Sequence, residues 1–133
     1  MAQTATIFMG RGIQKTLTLE LSNGEGIFAC IRQGMLENNI RKAEVTAIEG
    51  AIAHGTINYM AGCFYKSREI KNAEVIRAHG KYELKGNAKN LFGNLHIAID
   101  ISGRPTTVTL VEGSASGGLK ARMSFIDIAE RTQ

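Results

Sequence analysis

The chain has 133 residues, of which 44% are hydrophobic and 21% are charged, and its formal net charge is +4. These values are typical of one globular domain, and they exclude a disordered chain or two independent cores. No stretch reaches the ~18 apolar residues that a bilayer-spanning helix needs, and residues 1–10 lack a secretory pattern. We therefore expect one cytoplasmic domain over residues 1–133, with its core at about 16–128 and no membrane partner.

The first predicted elements are a strand and a helix. Residues 16–21 alternate apolar and polar side chains, as a half-buried strand does. After a glycine-rich turn, apolar residues recur every four positions at Ile27, Ile31 and Met35. This stripe predicts an amphipathic helix over residues 27–38, which ends where asparagine tolerates a left-handed backbone.

The rest of the chain is predicted to be strand. Residues 95–101 alternate most clearly, and Ser102-Gly103 predicts a tight turn into a hairpin partner. The remaining predicted strands are residues 43–48, 55–60, 72–78, 106–111 and 120–128. One helix with about seven mostly antiparallel strands predicts an α+β fold.

The positive charge is concentrated in residues 61–92. Elsewhere acidic and basic residues balance, but this segment has seven basic side chains against three glutamates. Such an excess attracts polyanions such as DNA, although a solvated face would also have it. The candidate DNA-binding residues are Lys66, Arg68, Lys71, Arg77, Lys81, Lys85 and Lys89.

The residue types that often carry chemistry are few and scattered. His54 and His79 have no nearby ligand partner in the sequence and are interpreted as ordinary surface histidines. His96 shares its strand face with polar residues, so it faces either solvent or a cleft. Cys30 and Cys63 are far apart and are predicted to be reduced thiols. We assign no catalytic residue.

A glycine-rich segment at residues 113–120 has the glycine spacing of a phosphate-binding loop. Leu119 stands where that loop requires lysine, and the segment leads into a predicted strand instead of a helix. We therefore interpret it as a flexible hairpin loop.

Several short motifs, in this order and spacing, resemble the plants-and-prokaryotes-conserved (PPC) domain family over about residues 16–128. They are Gly24-Glu25, residues 43–51, Glu74-Val75 before Gly80, Asn94-Leu95-His96, Gly103-Arg104 and residues 110–113. The resemblance implies an α/β domain that forms a homotrimer and associates with DNA. Plant members add AT-hook segments, whose Arg-Gly-Arg-Pro core this sequence does not contain.

The family pattern also has three histidines that can form a metal site. The matching positions here are Asn94, His96 and Thr109, so only one imidazole remains. We therefore predict no bound metal and no cofactor. These residues, with Glu74, are predicted to form a polar cleft that binds a small anion or metabolite.

Three functions remain open. The first is a DNA-binding or regulatory homotrimer that uses the basic segment. The second is a small-molecule or anion-binding protein, or an enzyme, that uses the His96 cleft. The third is an assembly protein whose product is the trimer itself. Family kinship alone does not decide among them.

Overall fold

The structure is a computed structural model that describes residues 4–9, 14–86 and 90–126. The strands form a single sheet in the order β1-β2-β9-β3-β6-β7-β8-β4-β5, and each described pair is antiparallel. This confirms the predicted α+β fold, with nine described strands instead of about seven. The elements are β1 (Thr4–Met9), β2 (Gln14–Leu21), α1 (Ile27–Glu37), β3 (Lys42–Glu49), β4 (Ala51–Ala61), β5 (Phe64–Glu74), β6 (Arg77–Lys85), β7 (Asn90–Ile101), β8 (Arg104–Ala115) and β9 (Leu119–Ile126).

Three of the described strands were not predicted from the sequence, namely β1 and β5 at the edges of the described sheet and β6 in its middle. Charged and polar side chains occupy most of β5, and Ile70 is its one buried residue. Edge strands tolerate this composition because charges discourage pairing with another chain. The apolar alternation that marks a half-buried strand is therefore missing from β5.

The predicted strand over residues 72–78 is wrong, because the chain turns there. Asn72 adopts a left-handed conformation (φ 50°), and β5 ends two residues later at Glu74. The N–H of Val75 then donates to the carbonyl of Gly50, and that of Ile76 donates to the carbonyl of Ala98. These bonds carry the chain from the edge strand to β6 in the middle of the sheet.

Helix α1 confirms the prediction within one residue. It ends at Glu37, and Asn39 has a positive φ of 56°, as expected for the end of this helix. The helix packs on β2 and β8, with Gly34 facing Leu19 of β2. A Cβ at Gly34 would lie 2.7 Å from Leu19 Cδ2, so glycine permits this close approach. No described helix combines the length and the hydropathy needed to cross a bilayer.

The strands in the middle of the sheet have one buried and one mostly exposed face. Burial alternates along β6, and Leu95 and Ile97 of β7 face the core with Leu110 of β8. The opposite face of β6, β7, β8, β4 and β5 is polar, and we call it the open face. It positions the candidate functional residues.

Among the described residues, the hydroxyl of Tyr82 is a buried polar group without a hydrogen-bond partner. Tyr82 is 5% exposed, its ring lies 6.1 Å from that of Phe28, and its hydroxyl makes no hydrogen bond to the described residues. Burial raises the pKa of Tyr82 above its ordinary value. Tyr82→Phe keeps the ring and removes the unsatisfied hydroxyl, so we expect an unchanged unfolding free energy or a gain of about 1 kcal/mol.

Urea unfolding measures this effect, with Tyr82→Ala as the control. The control removes the ring and should cost about 3–5 kcal/mol. A loss of more than about 1 kcal/mol in Tyr82→Phe would show that the hydroxyl has a partner.

Candidate functional site

A row of polar side chains crosses the open face. The strand registers pair His79 with His96, His96 with Thr109, Thr109 with Asn58, and Asn58 with Ser67. Because directly opposed residues of antiparallel strands share a face, all of these side chains lie on the same side of the sheet. We call this line of residues the polar row. It spans roughly 19 Å at about 4.8 Å per strand step.

Contacts within the polar row fix its side chains. A hydrogen bond of 3.1 Å joins His96 Nδ1 to Thr109 Oγ1, and the rings of His79 and His96 lie 5.2 Å apart between centroids. At the edge, Ser67 Oγ donates to Asn58 Oδ1 at 2.6 Å. Because Thr109 holds Nδ1 of His96, the Nε2 atom is the nitrogen left for a ligand.

The predicted cleft is brought together only in part. Asn94 lies two residues before His96 on the same face of β7, and Thr109 is directly opposite His96. Glu74 instead ends β5 opposite Ala51 and lines a separate cavity of about 710 Å³. The chain turns away after β5. Glu74 therefore lies near the C-terminal end of β7, at Ile99 to Ile101, and not beside His96.

The predicted basic segment divides into two groups in the structure. The first is on β6, where Arg77, Lys81 and Lys85 are exposed on the same face as His79. Their intervening neighbours are buried in the core. These three cations, which we call the β6 group, therefore all point to the open face beside the histidine pair.

The second group is on the edge strand β5. Lys66 and Arg68 alternate with Ser67 of the polar row, so they lie on the other side of the strand from it. Lys71 follows buried Ile70 and is exposed. The strands β7, β8 and β4 separate this group from β6, a distance of roughly 19 Å across the sheet. Lys89 lies outside the described residues.

Neither basic group is neutralised by ion pairs in the part of the chain that the structure describes. The ion pairs found there are on β9, where Arg122 contacts Glu49 at 3.4 Å and Lys120 contacts Glu20 at 4.0 Å. On β6, Glu44 stands opposite Lys81 in the register without an ion pair. Glu83 lies on the same face between Lys81 and Lys85 and forms no ion pair with them among the described residues, so the face keeps a net positive charge.

The side chains at the family's metal positions do not fit a transition metal. Asn94, His96 and Thr109 supply an amide, an imidazole and a hydroxyl, whereas such ions favour several imidazole or thiolate ligands. His79 brings a second imidazole next to His96. Among the described residues, no cluster of three or more histidine, cysteine, aspartate or glutamate side chains could hold a metal ion.

Sequence reasoning missed His79, Asn58 and Ser67 as members of the polar row. The alternation of residues 77–85 is enough to put His79 on the same face as Arg77 and Lys81. Its contact with His96 depends on the register between β6 and β7, which the sequence does not reveal. Ser67 was missed because β5 itself was not predicted, and Asn58, on the predicted strand 55–60, joins the row only through the register of β4 with β8 and β5.

Cys30 is held as an unreactive thiol. It is 1% exposed, and its Sγ donates to Glu25 Oε2 at 3.7 Å while Glu25 Oε1 accepts from the Ser22 N–H at 2.7 Å. Burial, with a smaller effect of the Glu25 carboxylate, raises the pKa of Cys30 to about 11. The thiol therefore stays protonated at neutral pH, and the thiolate that reacts with disulfides is scarce.

The raised pKa of Cys30 predicts slow reaction of its thiol. The prediction is tested in protein whose exposed Cys63 has been replaced. Native Cys63→Ala protein should react with an aromatic disulfide reagent at pH 8 at least about a hundredfold more slowly than urea-unfolded protein does. Reactivity should rise as the pH approaches the raised pKa. Fast reaction of the folded protein at pH 8 would contradict this account of Cys30.

In the described part of the chain, one helix packs on an antiparallel sheet to form a small α+β domain. Residues 9–122 match the model of the Plants and Prokaryotes Conserved (PCC) domain. The chain belongs to this family, which is the one that the sequence resembles. A search of curated proteins found no significant match.

Solved structures show the same fold at low sequence identity. A metal-containing protein from Archaeoglobus fulgidus has a TM-score of 0.68 and 18% identity, over 94% of this chain and 86% of that one. A plant- and prokaryote-conserved protein from Pyrococcus horikoshii has a TM-score of 0.65 and 20% identity, over 95% and 83%. A Ralstonia eutropha protein named "putative DNA-binding protein" has a TM-score of 0.66 and 13% identity, over 83% and 76%.

Proposed function

We propose that this chain binds the phosphate backbone of DNA through the β6 group and acts as a homotrimer. The observation that carries the proposal is that Arg77, Lys81 and Lys85 lie on one exposed face without ion pairs to the described residues. Cations in this arrangement bind phosphates and release condensed counterions, which makes binding strong at low salt and independent of sequence.

Other groups on the same face add hydrogen-bonding capacity. Asn94 stands opposite Lys81, and the two histidines stand beside Arg77 and Lys81 in the register. Such side chains commonly contact phosphate oxygens and position a protein on the duplex. Lys66 and Arg68 of β5 face the other side of the sheet, and Lys71 is on the open face but lies across the sheet from β6.

The homotrimer part of the proposal rests on the family resemblance. Three copies would multiply the number of β6 groups, and linked sites bind a long polyanion more tightly than one site does. The charged residues of helix α1 are Arg32 and Glu37, so the helix has no net positive charge and lacks the basic surface of a DNA-recognition helix. We therefore assign binding to the sheet.

Fluorescence anisotropy with duplex DNA tests this function, using AT-rich and GC-rich probes at low and at physiological salt. We expect micromolar binding that weakens steeply with salt and differs little between the probes. A clear AT preference would indicate minor-groove reading. No binding at low salt would overturn the proposal and make the His96 cleft the leading candidate.

The second candidate function is the binding of a small anion at the polar row. The observation in its favour is the contact of His79 with His96, next to Arg77 and Lys81. Its test is the thermal shift caused by phosphate or a nucleoside monophosphate. We expect stabilisation by these ligands that His96→Ala abolishes, and an equal shift in both proteins would rule out this site.

A further inference from the structure

A half-exposed aromatic ring lies beside the β6 group on the open face. Phe92 of β7 is 50% exposed and stands directly opposite Glu83 of β6 in the register. The Lys85 Nζ lies 5.3 Å from the centroid of the Phe92 ring. A planar partner that covers this ring would remove apolar surface from water and gain a stacking contact next to a cation.

The charges around the ring provide different places for the base and for the phosphates of a nucleotide. The Glu83 carboxylate repels phosphate, but it accepts hydrogen bonds from an exocyclic amino group such as that of cytosine. Lys81 and Lys85 lie on either side of Glu83 on the same face of β6, each roughly 6.6 Å away along the strand. Both attract the phosphates that precede and follow such a base. On β3, Lys42 opposite Glu83 and Glu44 opposite Lys81 carry opposite charges that cancel, so the face remains cationic.

The strand that carries Phe92 has a free edge at the same position. Its pairing with β8 begins at Leu95, so residues 90–94 of β7 have no strand on that side in the part of the chain that the structure describes. The amide of Asn94 lies on the same face as the ring. Backbone N–H and C=O groups at this edge and the Asn94 amide can hydrogen-bond to the edges of unpaired bases. This end of β7 therefore offers contacts that suit an open strand of nucleic acid.

We propose that the β6 group and Phe92 together bind single-stranded DNA more tightly than duplex DNA, with one base stacked on the Phe92 ring. This inference rests on the proposed function, because the same cations hold the phosphates, and it names the form of DNA that the surface favours. The bases of a duplex are paired and stacked on one another, whereas a single strand is free to place a base on an aromatic side chain. Stacking accepts any base, and the Glu83 carboxylate adds a preference for bases that carry an amino group.

The first experiment replaces the ring. Fluorescence anisotropy at low salt and pH 8 measures the binding of oligo-dC, oligo-dT and a mixed-sequence duplex of equal length. Wild type should bind both single strands about fivefold or more tightly than it binds the duplex. Phe92→Leu keeps the apolar bulk but removes the aromatic face, so it should weaken single-strand binding by about fivefold or more and duplex binding by less than about twofold. Phe92→Trp should bind the single strands at least as tightly as wild type does.

Phe64→Leu is the matched control for the ring. Phe64 is also an exposed phenylalanine, at 71%, but it lies on β5, across the sheet from β6. The control should leave all three affinities unchanged. Since Phe92 is half exposed, its variants should keep the melting temperature of wild type, which shows that a loss of binding is not a loss of folding.

The second experiment tests the Glu83 contact. Wild type should bind oligo-dC about threefold or more tightly than oligo-dT, because thymine has no exocyclic amino group. Glu83→Ala removes both the acceptor and a negative charge. It should therefore strengthen binding to both strands, while the ratio of the dC affinity to the dT affinity falls to about one.

The outcomes separate this inference from the proposed function. If wild type binds single strands no more tightly than the duplex, or if Phe92→Leu binds single strands as wild type does, this inference is overturned and duplex binding by the β6 group stands. An equal loss of single-strand and duplex binding in Phe92→Leu overturns the stacking contact. A dC-to-dT ratio that persists in Glu83→Ala overturns the carboxylate contact. No binding of wild type to any of the three probes overturns both this inference and the proposed function.

Discussion

Replacing Arg77 and Lys81 with alanine should weaken DNA binding by about tenfold or more and reduce the salt slope by about two. Both cations are exposed on β6, and no described carboxylate forms an ion pair with them. Each one that contacts a phosphate releases counterions, so its loss changes both the affinity and the salt dependence. Anisotropy titrations over a salt series measure the two quantities together.

Lys120→Ala/Arg122→Ala is the matched control for this prediction. It also removes one lysine and one arginine, so the net charge changes equally. These two side chains already contact Glu20 and Glu49, so their loss should change DNA affinity by less than about threefold. Equal losses in the two variants would mean that net charge, and not the β6 group, determines binding.

Gly93→Ala is expected to cost about 2–4 kcal/mol of unfolding free energy. Gly93 has a φ of 147°, a conformation that side-chain-bearing residues rarely adopt. A Cβ there would also overlap the Lys81 carbonyl and lie 2.8 Å from Tyr82 Cδ1. Since Gly93 pairs with Tyr82, the substitution would force apart the two strands that hold His79 against His96.

Gly103→Ala separates the backbone effect from the steric overlap. Gly103 also has a positive φ, 83°, but a Cβ there would meet nothing within 4 Å. The Gly103→Ala substitution should therefore cost only about 1 kcal/mol of unfolding free energy. Urea unfolding of both variants measures the difference, and equal costs would show that the approach of β6 to Gly93 is not tight.

The sequence predicted the elements whose residues alternate or recur with a clear period. The stripe of Ile27, Ile31 and Met35 located α1, and the turn at Ser102-Gly103 has the two positive φ angles, 54° and 83°, that a tight hairpin requires. Strand β5 was missed because an edge strand buries little and its charges hide the alternation.

The site was predictable only as far as single strands allow. Alternation along β7 put Asn94 and His96 on one face, whereas Thr109 was named only through the family resemblance, and the register places it opposite His96. The row from His79 to Ser67 requires the order and register of several strands, which depend on long-range packing. For the same reason, residues close in sequence on β5 and β6 were grouped although the fold separates them.

The most direct test of the central claim is a map of the DNA-binding surface by NMR. Amide signals of isotope-labelled protein are followed during titration with a short duplex at low salt. We expect the largest shifts in residues 77–85 of β6 and at Asn94 and His96, with small changes along α1. Binding that instead shifts mainly β5 or α1 would contradict the assignment of the interface to the β6 group.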